Sequence, residues 1–268
     1  SNTMEYAYDD FALAQMAKAL GKTDDYQALI QRAANYRNVI DSRTGYAQGR
    51  HADGTFLNDA NAFNFARFIT EGAPCHYTWY VPQDPYGLMD CMGGKDKYVA
   101  KLDSMFSEHR YWHGNEPCHQ IAYLFNYAGQ PWKTQREVRH IMETEYLNAP
   151  GGLSGNDDAG QMSAWYVFSA MGFYPVCPGT PYYIIGSPSF PRMSIRLENG
   201  KTFTILAHNA NKKNIYIQSA KLNGKEYDKN YFTHQDIVQG GTLEFQMGPN
   251  PNTNWGASAL SLPPDNMK

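Results

Sequence analysis

The chain has 268 residues, a formal net charge of −3 at pH 7 and a pI near 6.2. This length can bury one large core or two smaller ones, and we expect two domains. Because the charge balance gives no basic face, we do not expect nucleic acid or an anionic membrane as a partner. No apolar run approaches the roughly 20 residues that span a bilayer, so we expect no membrane span.

The first two thirds of the chain are predicted to form paired helices. Apolar residues recur at helical spacing over residues 5–20, and the capping stretch Thr23-Asp24-Asp25 opens a second run over 23–40. Glycine- and proline-bearing loops separate four further helical patterns, over residues 96–107, 118–127, 132–146 and 161–171. We therefore predict a helical region over residues 1–180.

After Pro181 the pattern changes to short runs of β-forming residues. Asn199-Gly200 and Asn223-Gly224 lie between runs and are hairpin signals. The runs cover residues 182–185, 193–197, 202–207, 214–219, 221–222 and 242–246. We predict an antiparallel β-sandwich over residues 181–268, and an α+β multidomain fold for the whole chain.

A glycine-flanked loop carries two adjacent carboxylates, Asp157 and Asp158, just ahead of the apolar run at 161–171. A buried helix below such a loop would hold these acids in place for chemistry. The same two residues also fit a purely structural role as caps of the helix, favoured by its N-terminal dipole. The loop itself does not distinguish the two interpretations.

Two other loops have the same format. Residues 71–80 begin with Glu71, and residues 113–120 contain Glu116. In a toroid of paired helices, alternate loops converge at one end, which predicts a shared cleft. Glu71 also fits a solvated acid after a helix, and Glu116, before Pro117, also fits the first turn of the next helix.

Aromatic residues are frequent, with 20 Tyr and 5 Trp, and this composition is compatible both with sugar binding and with ordinary cores. The four cysteines have neither CxxC spacing nor the density of a disulfide scaffold, so we expect core thiols.

Six motifs together resemble glycoside hydrolase family 92, the calcium-dependent exo-acting α-mannosidases. They are EYAYDD (5–10), YTWYVPQD (77–84), GLMDCMGG (87–94), GNEP (114–117), NYAGQPWKTQ (126–135) and GNDDAGQMSAWYVFSAMGFYPVCPG (155–179). Members of the family are longer, with an N-terminal β-sandwich and a complete (α/α)6 barrel. The resemblance therefore implies a partial (α/α)6 helical toroid followed by an antiparallel β-sandwich, and the missing start methionine agrees with a fragment of a longer protein.

The resemblance implies inverting hydrolysis of terminal α-linked mannose in a mannose-containing glycan. Two carboxyl groups roughly 6.5–9.5 Å apart are needed, one to protonate the glycosidic oxygen and one to activate water. Matched motif to motif, Glu71 is similar to the general acid and Asp158 to the general base. Asp157 is the alternative base and Glu116 the alternative acid.

The family's calcium ion implies a set of oxygen ligands, which calcium prefers. In the NEPCHQ segment these are Asn115, Glu116 and Gln120. Glu116 and His119 are also expected to contact the sugar, and Trp79 is expected to stack on it, with Trp112 and Trp132 as further stacking candidates.

The resemblance also implies an N-terminal β-sandwich as partner and export to the periplasm, the cell surface or the medium, with the signal outside this chain. Because that sandwich closes part of the pocket, we expect the isolated chain to be weakly active or inactive. An α-1,2 linkage is the first expectation, with α-1,3, α-1,4 and α-1,6 open. A non-catalytic carbohydrate-binding module and a different (α/α)6 enzyme, such as a lyase or trehalase-like hydrolase, are the alternatives.

Overall fold

The structure is a computed structural model that describes residues 1–57 and 61–268. It is an α+β protein with two compact units. The first unit contains Ser1–Ile121, Cys177–Thr180 and Asp265–Lys268, and the second contains Ala122–Val176 and Pro181–Pro264. The boundaries of these units do not coincide with the point where the sequence changes from helical to strand patterns. The domain boundary at 180/181 therefore stays a prediction. No helix in the described ranges has the length and apolar character needed to cross a membrane.

The first unit is mainly helical. Its helices are α1 (Asn2–Ala19), α2 (Thr23–Arg32), α3 (Pro74–Tyr77), α4 (Pro85–Cys91) and α5 (Lys95–Ser107), and β1 (Ile40–Asp41) pairs antiparallel with β2 (Tyr46–Ala47). The predicted helix over 23–40 ends at Arg32, and a 3₁₀ turn, Asn35–Val39, follows it.

The tertiary environment of Asp84 accounts for that early end. Its carboxylate accepts hydrogen bonds from the Tyr36 hydroxyl at 2.6 Å, from Arg37 Nη2 at 3.0 Å and from the Gly87 amide at 2.8 Å. A Cβ atom on Gly87 would overlap the Tyr36, Arg37 and Asp84 side chains. The 3₁₀ turn thus carries two partners of a buried carboxylate that caps α4.

The second unit contains α6 (Pro131–Thr144), α7 (Gln161–Met171) and the short α8 (His234–Val238). Its strands form two sheets, ordered β3-β4-β9 and β5-β6-β10-β7-β8. Their bounds are β3 (Phe173–Tyr174), β4 (Tyr182–Ile185), β5 (Arg192–Arg196), β6 (Thr202–His208), β7 (Tyr216–Leu222), β8 (Lys225–Glu226), β9 (Tyr231–Thr233) and β10 (Gly241–Gly248).

The two sheets share one hydrophobic core that includes Phe173, Phe203, Phe232 and Phe245. As predicted, most strand pairs in this unit are antiparallel. The pair β6 and β10 departs from the prediction, because these strands run parallel, with Phe203 opposite Gly241. Parallel strands need a long crossover connection. Here residues 209–240 provide it, and they carry β7, β8, β9 and α8.

The predicted helix over 118–127 was also wrong in type. Two 3₁₀ turns, Glu116–Cys118 and Ile121–Asn126, occupy this stretch, and residues 118–128 are all buried. Since these residues are buried on every side, packing rather than an amphipathic periodicity determines their conformation. The predictions for 96–107, 161–171 and 182–185 were confirmed by α5, α7 and β4 to within one residue.

A reciprocal pair of buried asparagines holds the end of the second 3₁₀ turn. Asn126 Nδ2 donates to the carbonyl oxygens of Ile185 and Asn230, both at 2.9 Å. Asn230 Nδ2 donates to the carbonyl oxygens of Asn126 at 3.0 Å and Gly256 at 2.8 Å. The pair thereby connects four backbone segments of the second unit.

We predict that Asn126→Ala lowers the free energy of unfolding by about 2 kcal/mol, because the Ile185 carbonyl loses a buried donor. Urea titration followed by tryptophan fluorescence measures it. Asn250→Ala, at an exposed asparagine of the same unit, is the control and should change little. Equal stability of the two variants would contradict the role given to the pair.

Candidate functional site

Glu71 lies at the start of an irregular turn that leads into α3. Its side chain is exposed, while its carbonyl oxygen accepts a hydrogen bond from Asn115 Nδ2 at 3.2 Å. Gly72 follows with φ +107°, a conformation that favours glycine, and the Ala73 amide donates to His76 Nδ1 at 3.1 Å. The backbone around Glu71 is therefore held from both sides, while its carboxylate reaches solvent.

Tyr77 connects Glu71 with a second acid. Burial raises the pKa of Tyr77, and the negative charges of Glu5 and Glu71 raise it further, as does a hydrogen bond with Glu5. The hydroxyl of Tyr77 is thus close enough to both carboxylates to sense their charge.

The pKa of Tyr80 is affected by a second set of acidic side chains. Burial, followed by the charges of Glu5, Asp9 and Glu116, raises the pKa of Tyr80 to about 12. Glu5 of α1 thus affects both tyrosines, and the hydrogen bond from Asn115 to the Glu71 carbonyl oxygen joins the segments that carry Glu71 and Glu116. Sequence reasoning missed Glu5 and Asp9, although their i, i+4 spacing in EYAYDD puts both on one helix face.

Asn115 and Gln120 are buried, and their amide nitrogens bond to backbone carbonyls. Gln120 Nε2 donates to the carbonyl oxygens of Trp79 at 3.2 Å and Pro117 at 2.7 Å, as Asn115 Nδ2 does to Glu71. These bonds use the nitrogens, so the side-chain oxygens are the atoms left to act as ligands. Amide and carboxylate oxygens suit calcium, and the set Asn115, Glu116 and Gln120 fits it chemically. Among residues 1–57 and 61–268, no three His, Cys, Asp or Glu side chains form a metal-binding group.

Two residues expected to contact the sugar lie in the core. Trp79 is 0 % exposed and packs edge-on against Tyr98, with the ring centroids 5.2 Å apart. His119 is 1 % exposed, and its Nε2 lies 3.0 Å from the His113 carbonyl oxygen. Both rings are thus buried in this chain, and their contact with a sugar stays a prediction.

In the second unit, Asp157 has the capping role that the sequence left open. Its Oδ1 accepts a hydrogen bond from the Ser163 amide, in the first turn of α7, at 2.9 Å. Its carbonyl oxygen accepts from the amides of Gly160 and Met162. The side chain of Asp157 is thus engaged with the helix N-terminus, where a negative charge is stabilised.

Asp158 is exposed and lies in an unusual turn. Its φ is +46°, and left-handed values continue at Ala159, +57°, and Gly160, +97°. Non-glycine residues adopt this region at a cost, and such residues cluster at functional sites. The structure therefore separates the adjacent carboxylates: Asp157 faces the helix, while Asp158 is displayed by a constrained turn.

The similarity to known proteins agrees with these motifs. A model of the glycosyl hydrolase family 92 catalytic domain matches residues 1–249. The chain therefore belongs to glycosyl hydrolase family 92.

One curated relative is an "uncharacterized secreted glycosidase" of Arthroderma benhamiae. It is 32 % identical over 290 aligned residues, which cover 98 % of this chain and 37 % of the relative. The chain thus spans little more than a third of that relative's length.

Two solved structures from Bacteroides thetaiotaomicron are also similar. A family GH92 α-mannosidase is 45 % identical with a TM-score of 0.93, over 97 % of this chain and 36 % of its own. A family GH92 inverting mannosidase is 40 % identical with a TM-score of 0.94, over 99 % of this chain and 39 % of its own. The α+β fold described above is thus shared with these structures along nearly the whole chain.

We predict that Asp157→Ala lowers the free energy of unfolding by about 1 kcal/mol, through loss of the contact with α7. Asp157→Asn keeps an acceptor oxygen and should retain most of that stability. Asp158→Ala should change stability by less than Asp157→Ala, since its exposed carboxylate does not cap the helix. Urea unfolding of the three variants measures this, and a larger loss for Asp158→Ala would contradict the assignment.

Proposed function

We propose that this chain forms part of the catalytic domain of an exo-acting α-mannosidase, which hydrolyses terminal α-linked mannose in glycans with inversion. One observation carries the proposal: the chain belongs to family 92 and is 45 % identical, over 97 % of its length, to a structure described as an α-mannosidase. Inversion is supported by the similar structure described as an inverting mannosidase. An α-1,2 linkage is the first to test.

For the general base we propose Asp158. Both side chains are exposed, and Asp157 is the alternative, but its Oδ1 already accepts the Ser163 amide, whereas Asp158 lies in the constrained turn with φ +46°. In this role the carboxylate accepts a proton from water while the water oxygen attacks the anomeric carbon from the face opposite the leaving group.

For the general acid we propose Glu71, with Glu116 as the alternative. The fixed backbone and exposed side chain of Glu71 suit a group that must reach the glycosidic oxygen. It donates a proton to that oxygen as the bond to the anomeric carbon breaks, so the leaving sugar departs as a neutral alcohol. Glu116 shares the neighbourhood of Glu5 and Asp9, which suits a substrate contact or a cation ligand equally well.

We propose Ca²⁺ as the cofactor, held by Asn115, Glu116 and Gln120 through their side-chain oxygens. When bound, calcium supplies positive charge for hydroxyl groups of the terminal mannose. Asn115 also donates to the Glu71 carbonyl, so the proposed ligand set and the proposed acid share one hydrogen-bonded segment.

We further propose that the chain acts within a longer protein, as the second part of an (α/α)6 toroid followed by a β-sandwich, with an N-terminal β-sandwich as partner. Helix α1 exposes a stripe of large apolar side chains, which a further element would cover. The stripe consists of Tyr6, Leu13, Met16 and Leu20. An exported protein, in the periplasm, at the cell surface or secreted, agrees with the relative described as secreted.

We predict that Glu71→Gln and Asp158→Asn, made in the longer protein, each lower kcat for mannose release by ~10²–10⁴-fold, because each removes one proton transfer. Affinity for methyl α-mannoside should remain. The isolated chain should release mannose weakly or not at all.

Two variants serve as controls for these roles. Asp157→Asn keeps the cap and should lower kcat far less than Asp158→Asn. Glu116→Gln tests the alternative acid: a loss of kcat there with full activity in Glu71→Gln would move the acid role to Glu116. Full activity in both Glu71→Gln and Asp158→Asn would sink the mechanism, and sugar binding without any turnover would favour the binding-module alternative.

Calcium binding is predicted to stabilise the chain. At a calcium concentration 100 times Kd the free energy of unfolding should rise by about 2.7 kcal/mol, which raises the melting temperature. Chelation should reverse the shift, and Glu116→Gln should abolish most of it. Glu198→Gln, at an exposed acid in a turn, is the control and should keep the full response. No calcium-dependent shift in the unmodified chain would contradict the proposed site.

A further inference from the structure

Two aromatic side chains of the first unit contact each other at the protein surface. Phe65 is 74 % exposed and Trp112 is 37 % exposed, and their ring centroids lie 6.1 Å apart with an interplanar angle of 53°. Exposed aromatic groups that contact each other form an apolar surface patch, and the largest such patches of a protein often mark sites that meet another molecule. We refer to these two residues as the Phe65–Trp112 pair.

The pair adjoins the turn that carries Glu71. A Cβ atom on Gly72 would lie 3.7 Å from Trp112 Cζ3 and 2.9 Å from His76 Nδ1. The six-membered ring of the indole therefore rests against the backbone of the residue that follows Glu71, while the 2.9 Å approach of His76 Nδ1 is the contact that leaves no room for a Cβ atom at Gly72.

The indole is supported from below by a fixed histidine. The rings of His76 and Trp112 are 5.8 Å apart, and both ring nitrogens of His76 are bonded. His76 Nδ1 accepts from the Ala73 amide at 3.1 Å, and Nε2 lies 3.0 Å from the Arg110 carbonyl oxygen. The pair is thus a surface built on the same turn that positions Glu71.

We propose that the Phe65–Trp112 pair stacks on the sugar ring of the leaving group, next to the bond that is cleaved. This inference rests on the proposed function of Glu71. An acid that protonates the glycosidic oxygen lies beside the junction of two rings, so a surface against its turn is within reach of the second ring. The apolar C–H face of a pyranose matches an aromatic face.

This role defines Trp112 and Phe65 as specificity-determining residues. They contact the leaving group and not the terminal mannose, so they should affect the binding of a disaccharide far more than that of a monosaccharide. The interplanar angle of 53° gives an angled surface, which selects among glycosidic linkages by the orientation of the second ring.

The test uses the 268-residue chain and a disaccharide that resists hydrolysis, the methyl α-1,2-mannobioside with sulfur between its two rings. Saturation-transfer NMR identifies the sugar protons that contact the protein, and titration gives Kd. Methyl α-mannoside, which lacks the leaving-group ring, is the comparison ligand. The variants are Trp112→Ala, Phe65→Ala, Trp112→Tyr, which keeps a ring, and Phe190→Ala, an exposed aromatic of the second unit.

With the unmodified chain, we expect saturation to be transferred from the protein to the C–H protons of the second sugar ring. Kd for the disaccharide should rise about tenfold in Trp112→Ala and several-fold in Phe65→Ala. It should change less than twofold in Trp112→Tyr and Phe190→Ala. Phe65→Ala guards against misfolding, because this ring is 74 % exposed and its removal takes little from the core.

The outcomes distinguish the stacking role of the Phe65–Trp112 pair from the proposed mannosidase function. An unchanged Kd in Trp112→Ala, or no disaccharide binding by the unmodified chain, overturns the stacking role. If the mannobioside binds with the same Kd in the unmodified chain and in Trp112→Ala and Phe65→Ala, the stacking role is overturned while the mannosidase proposal stands. Binding of cellobiose through the pair, with no mannobioside binding, supports stacking and overturns the mannosidase proposal.

Discussion

Buried side-chain amides hold the irregular segments of this chain in place. Backbone carbonyls outside helices and strands still need donors when they are buried. The side-chain amide of Asn115 donates a hydrogen bond to the Glu71 carbonyl oxygen, and that of Gln83 donates one to the Ala33 carbonyl oxygen at 3.2 Å. The amide of Gln120 donates to the carbonyl oxygens of Trp79 and Pro117. These bonds help to fix the backbone of the segments around Glu71 and Trp79.

The second unit uses the same device. Asn126 and Asn230 exchange donors with each other's backbone, and Gln135 Oε1 accepts the Ile217 amide at 3.0 Å. In both units the loops depend on amides contributed by residues far away in sequence, up to 104 positions apart. The backbone conformation of these loops therefore depends on contacts that exist only in the folded units, and not on the loop sequences alone.

The elements with a clear periodicity were predictable from sequence, and those defined by distant contacts were not. Helices α5 and α7 and strand β4 have apolar spacing or length that local physics determines. The end of α2 depends on Asp84, 52 residues beyond Arg32, and the parallel pairing of β6 with β10 depends on a long crossover. The same holds for the candidate site. The motifs predicted Glu71 and the Asp157-Asp158 pair as site residues, and these roles stay predictions. The burial of Trp79 and His119, by contrast, follows from tertiary packing that the motifs do not show.

The four cysteines are free thiols, and Cys75, Cys118 and Cys177 are buried. Burial raises the pKa of all three, which keeps them as unreactive thiols rather than nucleophilic thiolates. Folding of this chain thus requires no oxidation step and no disulfide isomerase, and the folded chain offers little to oxidants in its core. The same polypeptide can therefore fold in a reducing cytoplasm or in an oxidising compartment.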